Sequence, residues 1–247
     1  MIIGAIVAGG SGSRMGTSIP KQFLRLGTKR ILLWSVETFL NHPRMDAVIV
    51  GVPKEWLAYS AALFDDFVFG DKRRKILLTE GGANRNETLW RITETAIAKL
   101  GADADTILVT HDAVRPFVTK EAVTAGIETL SRAGKGFAVT TAIPATDTVL
   151  RVHENGEVRE VPKRSRMLLA QTPQTVYLGE WRKVYERMTP DERELRTDIS
   201  GCYIATGLRV LTVAGERGNV KITTPEDYEA ALARVSRQGK EKETEYV

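Results

Sequence analysis

Ile2-Ile3-Gly4-Ala5-Ile6-Val7 runs directly into Ala8-Gly9-Gly10-Ser11-Gly12-Ser13-Arg14-Met15-Gly16, and Pro20-Lys21-Gln22 follows shortly after. The apolar run reads as a buried first strand. A glycine-rich loop leaving such a strand lets backbone N–H groups converge on an anion, because no Cβ blocks close approach. Arg14 and Lys21 add two fixed positive charges near the same place. The combination predicts a triphosphate-handling loop at the end of a buried strand.

Two commoner glycine loops are excluded by their own requirements. A Walker A loop needs a Lys followed by Ser or Thr, and Lys21 is followed by Gln22. A dinucleotide fingerprint needs a third glycine where Met15 stands. The remaining pattern, G-x-G-x-R-M followed by P-K, resembles the nucleotidyltransferase signature.

Working outward, strand-like runs alternate with helical patterns. Leu32, Leu33, Val36, Phe39 and Leu40 recur at helical spacing, and Ala47–Val52 reads as a buried strand. A helix is expected from about Glu55 to Phe64, then a short strand at Lys75–Leu78. Leu89, Ile92, Ala96, Ile97 and Leu100 mark one helical face with Asn86 as N-cap, and Thr106–Thr110 is a further buried strand. This alternation predicts an α/β fold, Rossmann-like, with a mostly parallel sheet covered by helices on both faces. Ligands of such sheets sit beyond the carboxyl ends of the strands, where nearly all the motifs fall.

The pattern breaks between Pro144 and Gln171. Residues 148–153 and 157–161 flank Glu154-Asn155-Gly156, and Asn-Gly is a strong hairpin signal. A lone hairpin is marginal in water, so this one either folds onto its own domain or finds a partner chain. Gln171-Thr172-Pro173-Gln174 then reads as a loop, followed by helices near Leu178–Met188 and from Thr197-Asp198. A strand is expected at Arg209–Val213, and Thr224-Pro225-Glu226-Asp227 reads as the capped start of a last helix.

The residues that carry chemistry are cationic. Glu80-Gly81-Gly82-Ala83-Asn84-Arg85-Asn86-Glu87-Thr88 is a second glycine loop that either reaches a base or ribose or merely caps a helix. In Thr110-His111-Asp112-Ala113-Val114-Arg115-Pro116-Phe117, Asp112 and Arg115 serve Mg²⁺, substrate hydroxyls or a phosphate, or else form a loop-shaping ion pair. His111 reads as structural. Lys221 sits in an otherwise apolar strand segment and either snorkels or reaches an anion. No Ser/His/Asp set and no metal-ligand spacing of histidines accompanies these residues. None is needed for one reaction class: a phosphomonoester is largely dianionic at neutral pH and attacks an α-phosphate without a general base.

The chain has 247 residues, 43% hydrophobic and 27% charged, a net charge of +4 and a single cysteine, Cys202. This suits one soluble α/β domain spanning residues 1–247. No apolar run is long enough for a membrane span, and the N-terminus shows no secretory pattern, so a cytoplasmic location is expected. The basic residues are scattered, which speaks against nucleic-acid binding.

Taken together, five separated motifs resemble the cytidylyltransferases that charge polyol phosphates with CTP. The resemblance implies CTP contacts at Val7, Ala8, Gly9, Gly10 and Gly12 and at Gly81, Gly82, Arg85, Asn86 and Thr88. It makes Arg14 and Lys21 the residues that stabilise the transition state, and Lys221 and Arg164 those that position the polyol phosphate. Asp112, Arg115, Thr148 and Thr172 become substrate-side residues. The implied cofactor is Mg²⁺ or another divalent cation, held mainly by the CTP phosphates, with Asp112 as its candidate protein ligand. The implied partner is a second copy, a homodimer through a hairpin arm at about residues 146–166 that delivers Arg164 to the neighbouring site.

Within that family two acceptors compete. Arg85–Thr88, Thr110–Phe117 and Gly51-Val52-Pro53 with Trp56 resemble the D-ribitol-5-phosphate enzymes, whereas Pro144–Thr148 and Arg164–Met167 resemble the 2-C-methyl-D-erythritol 4-phosphate enzymes. The sequence reading favours ribitol phosphate, with methylerythritol phosphate as the alternative. Ile199-Ser200-Gly201-Cys202 departs from both patterns. A non-catalytic nucleotide-binding module is the reading of a different class, and the presence of Arg14, Lys21 and Lys221 speaks against it.

Overall fold

A strand of only small and branched apolar residues can be buried on both faces, and β1 (Ile2–Val7) lies near the middle of the main sheet. The computed structural model describes residues 1–10, 19–68 and 70–244. The expectations at Gly12 and Arg14 lie outside these residues.

After a 3-10 turn at Lys21–Phe23 come β2 (Arg25–Leu26), β3 (Lys29–Arg30), α1 (Ile31–Leu40) and β4 (Ala47–Val52). Then follow α2 (Leu57–Phe67), α3 (Asp71–Arg74), β5 (Ile76–Glu80), α4 (Arg85–Leu100), β6 (Ile107–Asp112), α5 (Lys120–Ala133) and β7 (Phe137–Pro144). The chain continues through β8 (Arg151–Val152), β9 (Val158–Glu160), β10 (Leu168–Tyr177), α6 (Leu178–Arg187), α7 (Pro190–Leu195), α8 (Ile199–Ala205), β11 (Arg209–Ala214) and α9 (Pro225–Thr244).

Seven strands form the main sheet in the order β11-β7-β10-β6-β1-β4-β5. All neighbouring pairs are parallel except those of β10, which runs antiparallel to both β6 and β7. Alternation along the strands feeds two cores. Val48 and Val50 face one core with Phe39 of α1 and Ile127 of α5, whereas Ile49 faces the other with Ile92 of α4 and Trp181 of α6. Covering both faces is what a parallel sheet requires, because its strands carry apolar residues on each side. A third cluster packs α9 against β2 through Ala231, Leu26 and Ile222.

Several expectations shift. The helix expected from Glu55 begins at Leu57, after a 3-10 turn at Lys54–Trp56. Gln171–Gln174 is not a loop: it lies within β10, at a register shift between Ala170 and Gln174. The bulge accommodates Pro173, which has no N–H to give a ladder. Lys221 is in irregular chain after β11 rather than in a strand. The expected box at the last helix holds, with the Thr224 N–H donating to Asp227 Oδ2 at 2.9 Å. The hairpin is shorter than expected, a two-stranded sheet of β8 and β9 set apart from the main one. Among the described residues no helix is long and apolar enough to cross a membrane.

Candidate active site

Val7 ends β1 level with Gly51 of β4 on one side and Asp112 of β6 on the other. The chain runs outward from β1 to β4 and β5, then returns to β6 on the opposite flank. That reversal leaves a crevice at the carboxyl ends of β1 and β6, the usual ligand position in such sheets. A cavity of about 290 Å³ lies there, lined by both glycine loops, Lys21, Gln22, Asp112 and Lys221.

The two glycine loops touch. A Cβ on Gly9 would sit 2.8 Å from Thr88 Oγ1, and one on Gly81 would sit 3.2 Å from Gly9 Cα. A side chain at Gly9 would force Thr88 to shift, and one at Gly81 would press on the first loop. Thr88 holds the second loop in place: its hydroxyl accepts from the Gly82 N–H at 3.0 Å and donates to the Asn84 carbonyl at 2.9 Å. Helix α4 therefore opens onto the cavity at its N-terminus, an electropositive end suited to phosphate.

The cap of α4 is Asn84, whose side chain accepts from the Glu87 N–H at 2.9 Å, and not Asn86. Asn86 does not line the cavity. It is buried, and its amide donates to the Arg193 and Arg196 carbonyls at 3.0 and 2.5 Å, so its expected CTP contact is replaced by a tie to the segment before α8. The sequence did hold the signal, since Asn84 and Glu87 have capping-box spacing.

Asp112 is the electrostatic centre. Arg85 Nε donates to Oδ1 at 2.9 Å and Lys221 Nζ to Oδ2 at 2.8 Å, with Arg115 Nε 4.0 Å from Oδ2. Burial by itself would raise its carboxyl pKa, but Arg85 and Lys221 outweigh burial and hold it well below the usual carboxylate range. Both terminal nitrogens of Arg85 are buried without a hydrogen-bond partner among the described residues. Arg85 itself lines the cavity.

Lys221 reaches Asp112 because its segment is tied down over the sheet. Arg115 donates to the Asn219 carbonyl at 2.9 Å, Asn219 donates to the Thr172 carbonyl at 2.7 Å, and the Ile222 N–H donates to the Val114 carbonyl at 2.9 Å. Arg115, expected at the substrate, thus fixes the strap that carries Lys221 and does not line the cavity. Thr172 is likewise internal: its hydroxyl accepts from the Asp112 N–H at 3.2 Å and faces His111 Nδ1 at 2.9 Å. His111 Nε2 lies 3.0 Å from the Arg115 carbonyl, an acceptor, so Nε2 carries the proton and Nδ1 accepts from Thr172. Burial pushes His111 down to about 4, which keeps it neutral and structural, as expected.

Arg164 and Thr148 are both exposed, and neither lines the cavity of its own chain; Arg164 donates to the Thr146 carbonyl at 3.1 Å. The expected Mg²⁺ contact at Asp112 does not fit. Each carboxylate oxygen already accepts from a cation, and no group of three His, Cys, Asp or Glu side chains gathers anywhere among the described residues. The departure at Ile199–Cys202 forms α8. Its Ile199 and Cys202 are core residues, and Asp198 and Ser200 both accept from Gln174 Nε2, at 2.8 and 3.0 Å.

A family model described as IspD, 2-C-methyl-D-erythritol 4-phosphate cytidylyltransferase, matches residues 2–237. The chain belongs to the 2-C-methyl-D-erythritol 4-phosphate cytidylyltransferase family. It is therefore an enzyme, a nucleotidyltransferase acting on CTP and a sugar phosphate. The structure is similar to the 4-diphosphocytidyl-2C-methyl-D-erythritol synthase of Anaerococcus prevotii, with a TM-score of 0.76 and 25% identity over 95% of this chain and 98% of that one. The 2-C-methyl-D-erythritol 4-phosphate cytidylyltransferase of Francisella tularensis matches with a TM-score of 0.74 and 27% identity, covering 93% and 97%. The Thermus thermophilus enzyme of the same description matches at 0.68 and 26%, covering 94% and 98%. The polyol-phosphate cytidylyltransferase family is thus the one expected from sequence. The preference for ribitol phosphate within it gains no support, since the family model and these relatives carry the methylerythritol name.

Proposed function

We propose that this enzyme transfers CMP from MgCTP to 2-C-methyl-D-erythritol 4-phosphate, releasing pyrophosphate. The observation that carries the reading is the family match across residues 2–237. The acceptor's phosphate oxygen forms a bond to the α-phosphorus, and the bond from that phosphorus to the bridging oxygen of pyrophosphate breaks. The attacking phosphate is already anionic, so no side chain has to remove a proton. The enzyme's work is alignment of two polyanions and neutralisation of charge as it moves onto pyrophosphate.

In this reading the glycine loops at Val7–Gly10 and Gly81–Thr88, with the N-terminus of α4, hold the nucleotide. Lys21, on the cavity wall, and Arg14 meet the leaving pyrophosphate. Lys221 takes the acceptor phosphate, and Asp112 orients both Lys221 and Arg85. Mg²⁺ arrives with CTP as part of the substrate. Arg164 and Thr148 act across a homodimer, each arm reaching the neighbour's cavity. Support for the dimer comes from Leu150, Val152, Val158, Val161, Leu168 and Leu169, all about half exposed on and beside the arm. So much uncovered apolar surface in one region suits a protein interface.

The test is a competition of 2-C-methyl-D-erythritol 4-phosphate against D-ribitol 5-phosphate in one reaction with CTP and Mg²⁺, with identification of the CDP product. CDP-methylerythritol should predominate. Predominance of CDP-ribitol would instead make the motifs at Arg85–Thr88 and His111–Phe117 the better guide to the acceptor.

A further inference from the structure

Gln22 is 1% exposed, yet it lines the cavity next to Lys21. Its side-chain nitrogen donates to the Ala8 carbonyl at 2.7 Å and to the Gly10 carbonyl at 3.0 Å. Both hydrogens of the amide are therefore spent on the first glycine loop, on carbonyls two residues apart. The same turn is fastened on its other side by Phe23, whose ring stacks on Trp56 at 4.6 Å and meets Tyr59 edge-on at 5.4 Å. Within the turn, the Phe23 N–H donates to Pro20 and the Leu24 N–H to Lys21. Lys21 thus sits between two anchors, one in the apolar core and one in the phosphate loop. The loop itself is held from the far side by the Ala8 N–H on the Gly51 carbonyl at 2.8 Å.

We infer that Gln22 is a positioning residue that fixes Lys21 relative to the phosphate loop, through its paired hydrogen bonds to the Ala8 and Gly10 carbonyls. This inference rests on the proposed role of Lys21 at the leaving pyrophosphate. A cation that acts in the transition state must be held to within a fraction of an ångström, and a displacement of about 1 Å can cost roughly a hundredfold in rate.

The test compares Gln22→Met, of similar length without donors, with Lys21→Ala and the double variant, in the full chain with CTP, Mg²⁺ and methylerythritol phosphate. Gln22→Met should lower kcat by roughly tenfold or more while the KM for CTP stays within about threefold. In the Lys21→Ala background it should lower kcat no further, because residues that act as one unit are not additive. Gln22→Asn, a methylene too short to reach both carbonyls, serves if the Met variant does not fold, with the same expected pattern. The same loss in both backgrounds, a change in KM alone, or an unchanged kcat while Lys21→Ala is impaired would each overturn the link to Lys21. A Lys21→Ala enzyme with full kcat would overturn the reading of the site and this inference with it.

Discussion

Charge is handled in opposite ways at the cavity and at the arm. Asp112 and Arg85 are 11% and 15% exposed in their side chains, and their contacts interlock with β6, β10 and the strap before α9. Arg151 and Glu160 on the arm also pair, at 3.1 Å, but are 62% and 50% exposed on a separate two-stranded sheet. The first pair is costly to break, because each partner would be left as a buried charge. The second contributes little, because water screens it. The difference teaches that the cavity's buried charges find their counter-charges within one chain, whereas the arm leaves its ion pair in water and its apolar side chains half exposed.

The sharpest way to break this comparison is at Asp112. Asp112→Ala leaves Arg85, Arg115 and Lys221 without their shared counter-charge, and should cost about 3–5 kcal/mol of stability. It should also lower kcat/KM on the order of a hundredfold, the scale for loss of a preorganised electrostatic group. Urea midpoints and steady-state kinetics check both. A variant of near-normal stability would mean that the three cations are hydrated and that the buried network is not what holds the site.

The arm sharpens the comparison from the other side. Arg164→Ala should lower kcat/KM by roughly tenfold or more, the cost of one lost charge-assisted contact to substrate. Mixing it with Lys21→Ala subunits should restore one working site per heterodimer. No recovery in a verified heterodimer would place Arg164 in its own chain's site. Val158→Asp, on the half-exposed apolar face, should shift the sedimentation profile toward monomer without unfolding the sheet.

The smallest expected effect is on acid stability. His111 is lowered by burial from 6.5 to about 4, so the unfolded chain binds its proton first as pH falls. The stability it contributes is present above pH 6.5 and is lost as pH drops toward 4. The loss is roughly 0.7 kcal/mol between pH 7 and pH 6 and grows below that. His42 is also lowered by burial and acts in the same direction, so the comparison must be between the wild type and His111→Gln. The variant should show a shallower fall in urea midpoint over this range. Parallel curves would mean that His111 exchanges its proton without cost.

The elements most legible in sequence are those whose pattern is local. Ala47–Val52 is apolar without a break because both faces of β4 are covered, and Leu89, Ile92 and Ala96 keep helical spacing because one stripe of α4 faces the sheet. Thr172-Pro173 reads as a breaker, yet β10 carries it on a bulge between two strands, and those strands supply the pairing that the short pattern does not reveal. Asn86 reads as a cap or a ligand contact because its type suits both, and nothing local distinguishes it from Asn84 except the capping-box spacing to Glu87.

The sequence by itself determined the strand-and-helix alternation, the two glycine loops and the cationic residues of a nucleotidyltransferase. All of these rest on backbone freedom, periodicity and side-chain type within a few residues. Only the tertiary structure decided which of those residues meet. Lys221 reaches Asp112 across 109 positions, Thr172 reaches His111 across 61, and Arg115 reaches the Asn219 carbonyl across 104. The physical reason is that such contacts depend on strand order and on where a strap is tied. A side chain's chemistry limits what it can bind, but the fold chooses among the partners within its reach.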